Sequence, residues 1–326
     1  MAAGGWRRLA FVRPLGACLL AGACLLAGCR TQPPSAPPPA TASPAGSVVY
    51  HVRESLTLVN DGPGKPTKQN LWLAVAPDAP PYQQVLKVDI QPQGYREFSD
   101  ESGNRYVEFD FSDMPPGTTI PVAVDYEVRV SPYAPDLGAC QGDLVAGFIA
   151  PELHIESDNP QIAELSAQLA QGQATACAKL RAFYDYIGSH LVYTFNGQDW
   201  GAQAALGPMG ADCTEYSDLL IALSRAAGIP ARYVEGLYFG PEANAHLEHA
   251  WVEVYLPGVG WTPVDPTLGR SSVSSDAYFA RIPANHILIT RGRNPSPLRG
   301  GNYFSHLYWP GNSTTIRVED YRWTIE

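Results

Sequence analysis

The chain has 326 residues, which is enough for two ordinary domains of roughly 100–200 residues each. Hydrophobic residues make up 45% of the sequence and charged residues 17%, a composition that excludes an intrinsically disordered protein. The formal net charge of -10 argues against nucleic acid as a partner, because no basic stripe is present to neutralise phosphates.

The first 28 residues, 1–28, have the pattern of an export signal. Three arginines precede an apolar run, Leu15 to Gly28, that is too short to span a bilayer. The run ends in Leu26-Ala27-Gly28-Cys29, which resembles the lipobox of bacterial lipoproteins. This resemblance implies that Cys29 is acylated and becomes the N-terminus of an exported, lipid-anchored protein. A plain secretory peptide is the alternative.

Residues 29–46 are rich in proline and alanine, which predicts an extended, unstructured tether. Such a tether holds the following domain away from a membrane surface, so the membrane is a partner through the lipid anchor. Arg30 follows the predicted lipidated cysteine in place of the aspartate associated with inner-membrane retention. Arg30 therefore favours the outer membrane, on its periplasmic face, but the sequence does not decide between the inner and the outer membrane.

Cysteine usage indicates one free thiol in the folded part of the chain. With the leader removed and Cys29 carrying lipid, Cys140, Cys177 and Cys213 remain in an oxidising compartment. Pairing Cys140 with Cys177 leaves Cys213 free and joins the interdomain segment to a helix. Three buried thiols are the alternative.

Residues 47–135 form the predicted first domain, an all-β module of the sandwich kind. Apolar residues alternate along residues 48–58 and again along 122–130, so each run lines one face of a strand. Further strands are predicted at 70–76, 84–91 and 105–111. Short strands at this spacing are typical of a β-sandwich. The module carries no cluster of reactive residues, so a spacer or binding role is the most that its sequence indicates.

The second predicted domain, residues 136–326, begins with helices and continues with strands, and its core spans 159–268. Asn159 and Pro160 mark the start of a first helix, as N-cap and first helical residue. A second helix is predicted at about 175–188 from its apolar stripe. The class predicted for the whole chain is therefore α+β, with the all-β module first.

The third predicted helix begins at Cys213. Asp212 and Glu215 can form a capping box around its first turn, and Gly228-Ile229-Pro230 ends it. Cys213 then lies at or beside the first helical residue, where unpaired N–H groups and the helix dipole favour an anion such as a thiolate. On this segment alone, a buried cysteine at a helix start is an equal alternative.

A predicted hairpin brings a histidine and an aspartate toward that cysteine. His249 begins an alternating strand, a turn follows, and Trp261 to Asp265 return as its antiparallel partner. Counting outward from the turn places Asp265 opposite residue 251 or 252, within about 7–10 Å of His249 along the strand. A carboxylate there would orient the imidazole. The imidazole would accept the Cys213 proton and form a thiolate–imidazolium pair.

Three blocks resemble the bacterial transglutaminase-like superfamily. They are Asp-Cys-Thr-Glu-Tyr-Ser from Asp212, His-Ala-Trp-Val-Glu-Val from His249 and Gly-Trp-Thr-Pro-Val-Asp-Pro-Thr from Gly260. The resemblance runs in order from Ala211 to Leu268 and implies a papain-like fold. It also implies that Cys213, His249 and Asp265 are the catalytic triad, and that no metal or organic cofactor takes part.

The expected function is acyl transfer at a peptide or carboxamide carbonyl through a thioester on Cys213. The substrate is then a protein or peptide, and the acceptor is water in a cysteine peptidase or amidase and an amine in a transglutaminase. A non-catalytic peptide-binding or assembly lipoprotein that retains the fold is the alternative. Neither the acceptor nor the oligomeric state follows from the sequence.

Several residues outside the triad are candidates for the cleft. An oxyanion hole needs donors: the backbone N–H of Cys213 is one, and Tyr193, Trp200 or the glycines near 197–201 are candidates for the second. Core packing is the alternative for both aromatic residues. Trp251 and Trp261 are candidates for the cleft walls, with the core as an equal alternative.

Other polar residues have less specific patterns. His246 and His249 suggest a metal site, but neither HExxH nor HxxEH spacing is present. The remaining histidines, His286 among them, are expected to be solvated or packed. In the tail, strands are predicted around 287–290 and 315–318. There Arg291, Arg293 and Tyr303 are candidates for the cleft border, although support of the core is favoured.

Overall fold

The computed structural model describes residues 45–138, 140–195, 200–240, 246–298, 305–308 and 316–325. The predicted leader, the lipidation site Cys29 and the tether up to residue 44 lie outside this part of the chain. Among the described residues, no helix is both long enough and apolar enough to cross a membrane.

Strands occupy the first half of the described chain, as the alternating apolar pattern predicts. They are β1 (Val48–Asn60), β2 (Asn70–Val75), β3 (Gln83–Gln91), β4 (Arg96–Ser99), β5 (Arg105–Asp110) and β6 (Thr119–Val130). In β1, buried positions alternate with partly exposed ones from Val52 to Leu58, so one face of the strand enters the core. The short strand β4 is largely exposed, which is why the apolar pattern does not show it.

These six strands form two four-stranded antiparallel sheets, each completed by a strand from the C-terminal end of the chain. The strand orders are β12-β1-β6-β3 and β11-β2-β5-β4, where β11 is Ser305–Tyr308 and β12 is Ile316–Ile325. Leu58, Tyr106 and Val124 belong to the apolar core that the strands share. The pairing differs from the predicted division at residue 135, since the tail returns to the first module and covers the edges of β1 and β2.

The middle of the chain contains the helices and a third sheet. Its elements are α1 (Pro160–Ala170), α2 (Ala176–His190), α3 (Ala202–Ala205), α4 (Cys213–Ala226), β7 (Ala231–Phe239), β8 (His246–Leu256), β9 (Gly260–Val264), α5 (Ser275–Tyr278) and β10 (His286–Arg291). The sheet has the order β10-β7-β8-β9. Asn159 caps α1 by accepting from the N–H of Gln161, and Pro160 is its first residue, as predicted. The α+β class with the β module first is confirmed.

Helix α4 is the central helix of this part of the fold. All residues from Thr214 to Arg225 are buried between the sheet strands β7 and β8 and the other helices. Cys140 and Cys177 form a disulfide with their Cα atoms 6.0 Å apart, which ties the connecting segment to the start of α2. Cys213 is the free cysteine of the described residues.

Two side-chain amides of the β module bind the backbone of β10. The buried Gln83 donates to the Leu288 carbonyl at 2.8 Å and accepts from the Leu288 N–H at 2.7 Å. The buried Asn104 does the same with Arg291, at 2.8 Å and 2.7 Å. Each amide binds one backbone N–H and one backbone carbonyl, which burial would otherwise leave without a hydrogen-bond partner. The β module therefore holds β10 in place and is part of the frame of the third sheet.

Candidate active site

Cys213 is the first residue of α4 and is half-buried. The Asp212 side chain accepts from the Thr214 N–H at 3.0 Å, and the Glu215 side chain accepts from the Asp212 N–H at 3.0 Å. This is the predicted capping box. It fixes the first turn of the helix, so the thiol lies where the helix dipole favours negative charge.

The same capping residue positions one of the predicted oxyanion candidates. The second oxygen of Glu215 accepts from the backbone N–H of Trp200 at 3.0 Å. Trp200 is therefore held near the start of α4, and its backbone donor is already occupied. The Trp200 side chain remains half-exposed.

Tyr193, the other aromatic candidate, also lies near the start of α4. Tyr193 and Ala211 form a parallel bridge, in which the Thr194 N–H donates to the Ala211 carbonyl at 2.9 Å. The Tyr193 ring is half-exposed and lies under the guanidinium of Arg270, 4.8 Å from the ring centre. Both aromatic residues are thus near Cys213, and their oxyanion role remains a prediction. Of the glycines near 197–201, Gly201 lies within the described residues.

His249 and Asp265 are in direct contact. Val252 pairs with Val264 across β8 and β9, so Asp265 follows the last paired residue and lies level with Trp251, one of the two predicted positions. The strand geometry lets His249 Nε2 reach Asp265 Oδ2 at 2.7 Å. The side chain of His249 also interacts with the thiol of Cys213, which leaves Nδ1 as the nitrogen for that contact.

The charges in this contact are opposite. Burial disfavours an imidazolium at His249, but the Asp265 carboxylate and Cys213 outweigh it and raise the pKa of His249 to about 10. Burial likewise disfavours the Asp265 carboxylate, yet His249 and His286 hold the pKa of Asp265 below its usual range. The structure therefore brings the three predicted triad residues together with a protonated histidine beside the thiol.

His286 is a residue of the site that the sequence does not indicate. It is packed, as expected, but its Nε2 lies 3.2 Å from Asp265 Oδ2, the oxygen that also contacts His249. Its position depends on β10 pairing with β7, which in turn pairs with β8. No local pattern around residue 286 predicts this order of strands.

Gly236 lies opposite His249 in the β7–β8 ladder. A Cβ atom at Gly236 would lie 1.9 Å from the carbonyl oxygen of Ile287 and 2.7 Å from the Trp251 ring. Trp251 is fully buried there, so it belongs to the core, whereas Trp261 is partly exposed. The close approach requires glycine, and it brings β10 near enough for His286 to reach Asp265.

One ligand atom each from His249, Asp265 and His286 lie within 4.8 Å of one another, a spacing that could hold a metal ion. Two observations favour hydrogen bonding instead. The Asp265 oxygen is already within hydrogen-bond distance of both histidines, and all three side chains are buried. The side chain of His246 lies outside the described residues, so the metal interpretation of His246 with His249 has no structural account.

The arginines predicted near the cleft bind buried carboxylates elsewhere. Arg291 and Arg232 donate to Glu253 Oε2 at 2.9 Å and 2.7 Å. Arg293 donates to Asp218 at 3.0 Å. Both predicted arginines line a cavity of about 790 Å³ whose lining does not include the triad residues. Structural support, the favoured alternative, agrees with these contacts, and Tyr303 lies outside the described residues.

Residues 163–266 match the profile of the Transglutaminase-like superfamily. An uncharacterised protein of Bacillus subtilis is 30% identical over 130 residues, and a protein-glutamine gamma-glutamyltransferase of Pseudomonas aeruginosa is 34% identical over 122 residues. Each alignment covers 33% of this chain and 18% of the relative. The chain thus carries a transglutaminase-like superfamily domain, as the resemblance implies, and spans less than a fifth of these relatives.

One solved structure is similar over most of the chain. It is a candidate cysteine protease from Cytophaga hutchinsonii, with a TM-score of 0.56 and 18% identity over 86% of this chain and 98% of that one. At this identity the likeness concerns the fold alone. The fold is therefore shared with that protein over most of both chains.

Proposed function

We propose that this protein catalyses acyl transfer at a peptide or carboxamide carbonyl through a thioester on Cys213. The observation that carries the proposal is the chain of contacts from the Cys213 thiol to His249 and from His249 to the buried Asp265. A half-buried free thiol at a helix start, beside a histidine held protonated, is the arrangement of an activated nucleophile. The superfamily domain over residues 163–266 supports the same assignment.

The proposed reaction has two halves that use the same groups. The Cys213 thiolate attacks the carbonyl carbon, and the tetrahedral intermediate collapses as the C–N bond breaks and His249 gives its proton to the leaving amine. In the second half His249 takes a proton from the acceptor, whose attack on the thioester releases the acyl product. The sulfur leaves as thiolate, and the proton remains on His249.

The acceptor decides between hydrolysis and cross-linking. One relative is named a protein-glutamine gamma-glutamyltransferase, which favours a glutamine carboxamide as acyl donor and an amine as acceptor. The neighbour in fold is a candidate cysteine protease, which favours water. Since the alignment spans 18% of the glutamyltransferase, its name supports the chemistry of the triad and leaves the acceptor to experiment.

Two generic probes test the proposal. Purified full-length protein is assayed for incorporation of dansylcadaverine into dimethylated casein and for release of small fragments from fluorescein-labelled casein. We expect one activity to be present, to be lost as iodoacetamide alkylates Cys213, and to be absent from Cys213→Ala. Activity that survives in Cys213→Ala would contradict the proposal. A Cys213 thiol that iodoacetamide modifies no faster than free glutathione would indicate a binding module instead.

We also propose that Cys29 carries the lipid anchor, on the basis of the Leu26-Ala27-Gly28-Cys29 sequence and the tether that follows. The expected result is a mature membrane-fraction protein whose N-terminal peptide begins at Cys29 with a diacylglyceryl mass. Cys29→Ser should instead accumulate with residues 1–28 attached. A soluble mature protein cleaved at another bond would contradict lipidation and leave a plain secretory signal.

A further inference from the structure

Asp265 is surrounded by hydrogen-bond donors on both oxygens. Oδ1 accepts from the backbone N–H groups of Thr267 and Leu268, each at 2.9 Å. Oδ2 lies 2.7 Å from His249 Nε2 and 3.2 Å from His286 Nε2. The residue is 1% exposed, so these donors replace water completely. A carboxylate with this many donors is ionised and has little freedom to rotate.

His286 supplies its donor as a neutral imidazole. It is 1% exposed, and burial lowers the pKa of His286 more than the Asp265 carboxylate raises it. A carboxylate only accepts, so the single ring proton lies on Nε2 and points at Asp265. Nδ1 lies 2.8 Å from Asn285 Oδ1. Since Nδ1 without a proton needs a donor, this tautomer requires the Asn285 amide to be turned by 180°, so that its NH2 group faces Nδ1.

The His286 ring is fixed from several sides. Trp251 packs edge-on at 5.0 Å between ring centres, and Tyr238 and Tyr278 lie at 5.3 Å and 6.1 Å. The Asn285 side chain also hydrogen-bonds the Tyr278 hydroxyl. Its strand, β10, is held by the Gln83 and Asn104 amides of the β module. The position of Nε2 is therefore set by packing and does not depend on Asp265.

We propose that His286 is a positioning residue, which donates from Nε2 to Asp265 Oδ2 and so fixes the carboxylate that orients His249. The inference rests on the proposed acyl transfer for its kinetic consequence. The backbone donors hold Oδ1, and His286 and His249 both contact Oδ2, so a turn of the carboxylate plane away from the imidazole would also break the hydrogen bonds from the backbone and from His286. Loss of this donor lets the plane rotate, and the His249 ring loses its alignment with the Cys213 thiol.

The test compares two substitutions in the full-length protein. His286→Phe keeps the ring and removes the donor, while the amide nitrogen of His286→Gln reaches about as far as Nε2 and restores it. We expect His286→Phe to lower kcat roughly 10–100-fold with KM within about twofold of wild type. His286→Gln should recover most of that loss. Urea unfolding midpoints of both variants separate this effect from a loss of folded protein.

Proton NMR of the protein with 15N-labelled histidine gives a readout that needs no turnover. Wild type should show far-downfield imidazole N–H signals from His249 and His286, because both donate to a buried carboxylate. His286→Phe should remove one signal and shift the other, whereas His286→Gln should shift it less. If wild type proves to lack acyl transfer, these signals and the alkylation rate of Cys213 still test the arrangement.

Three outcomes would overturn the inference. The first is a folded His286→Phe variant with wild-type kcat and an unshifted His249 signal, which would make His286 a packing residue only. The second is a folded His286→Gln variant as slow as His286→Phe, because a restored donor must restore function. The third is stoichiometric metal in the purified protein that His286→Gln loses, which would make the residue a ligand.

Discussion

Replacing His249 with glutamine is expected to slow acyl transfer by about 10²–10⁴-fold. It is also expected to slow iodoacetamide alkylation of Cys213 at about pH 6 by at least about tenfold. In the wild-type protein the imidazole contacts the thiol and is held protonated by Asp265, so it stabilises the thiolate. Glutamine carries no charge and takes up no proton. The thiol of the variant should therefore lose the counterion that favours its reactive, ionised form.

The measurement is the rate of alkylation between about pH 5 and pH 9, followed by the mass of the peptide that contains Cys213. His190→Gln is the matched control, because His190 is exposed at the end of α2 and its ring stacks on Tyr186. It should keep the wild-type profile. Identical profiles for wild type and His249→Gln would contradict the thiolate–imidazolium pair, and the proposed nucleophile with it.

The start of α4 could be predicted from the sequence because its determinants are local. Asp212 and Glu215 form the capping box within one turn, and that box alone places Cys213 at the first helical residue. The contact of His249 with Asp265 is nearly as local, since one turn joins β8 to β9 and counting from it limits the position opposite Asp265 to residue 251 or 252. Spacing and resemblance therefore pointed to the three residues that the structure brings together, and their catalytic role stays a prediction.

His286 could not be predicted because its place depends on a non-local pairing. The strand that carries it, β10, pairs with β7. The paired residues are at least 48 positions apart in the sequence, the smallest separation being that of His286 and Tyr238. The same holds for β12, which pairs with β1 although the two strands lie near opposite ends of the described part of the chain. Apolar alternation shows that such segments are strands but not which edge they join.

The charged residues of the third sheet show a second limit of prediction from the sequence. Alternation places Glu253 on the same face of the strand as His249, but it does not show what that face contacts at Glu253. The structure buries Glu253 against Arg232, Arg291 and the Tyr82 hydroxyl of the β module. A strand face that begins in the site thus ends in a domain contact, because the β module covers its far end. Only the tertiary arrangement separates the two roles.

Replacing Asp265 with asparagine is expected to lower kcat by about 10²–10⁴-fold and to destabilise the fold by about 3–5 kcal/mol at about pH 5.5. The buried carboxylate accepts from Thr267, Leu268 and His249, with His286 as its fourth donor. An asparagine amide brings two N–H donors into a site lined by donors, so a contact with one histidine is lost. The negative charge that keeps His249 protonated is lost as well.

The sign of the pH dependence follows from the two pKa shifts. The pKa of Asp265 is lowered in the folded protein. Its contribution to the free energy of unfolding is therefore complete above about pH 3.9 and is lost as the pH falls through the pKa of the folded state. The pKa of His249 is raised to about 10. Its contribution to the free energy of unfolding is therefore complete below about pH 6.5 and is lost as the pH rises toward 10. The stability difference between wild type and Asp265→Asn should therefore be largest from about pH 4 to 6.5.

Urea unfolding of both proteins at about pH 5.5, 7.5 and 9.5 measures this difference. Asp113→Asn is the matched control, because Asp113 is exposed at a turn whose positive φ of 68° asparagine also adopts readily. Its stability should stay near wild type at each pH. A difference for Asp265→Asn that does not shrink between about pH 5.5 and 9.5 would show that the aspartate acts as a packed acceptor rather than as half of an ion pair. His249 would then be neutral in the folded protein, and the thiolate at Cys213 would lack its counterion.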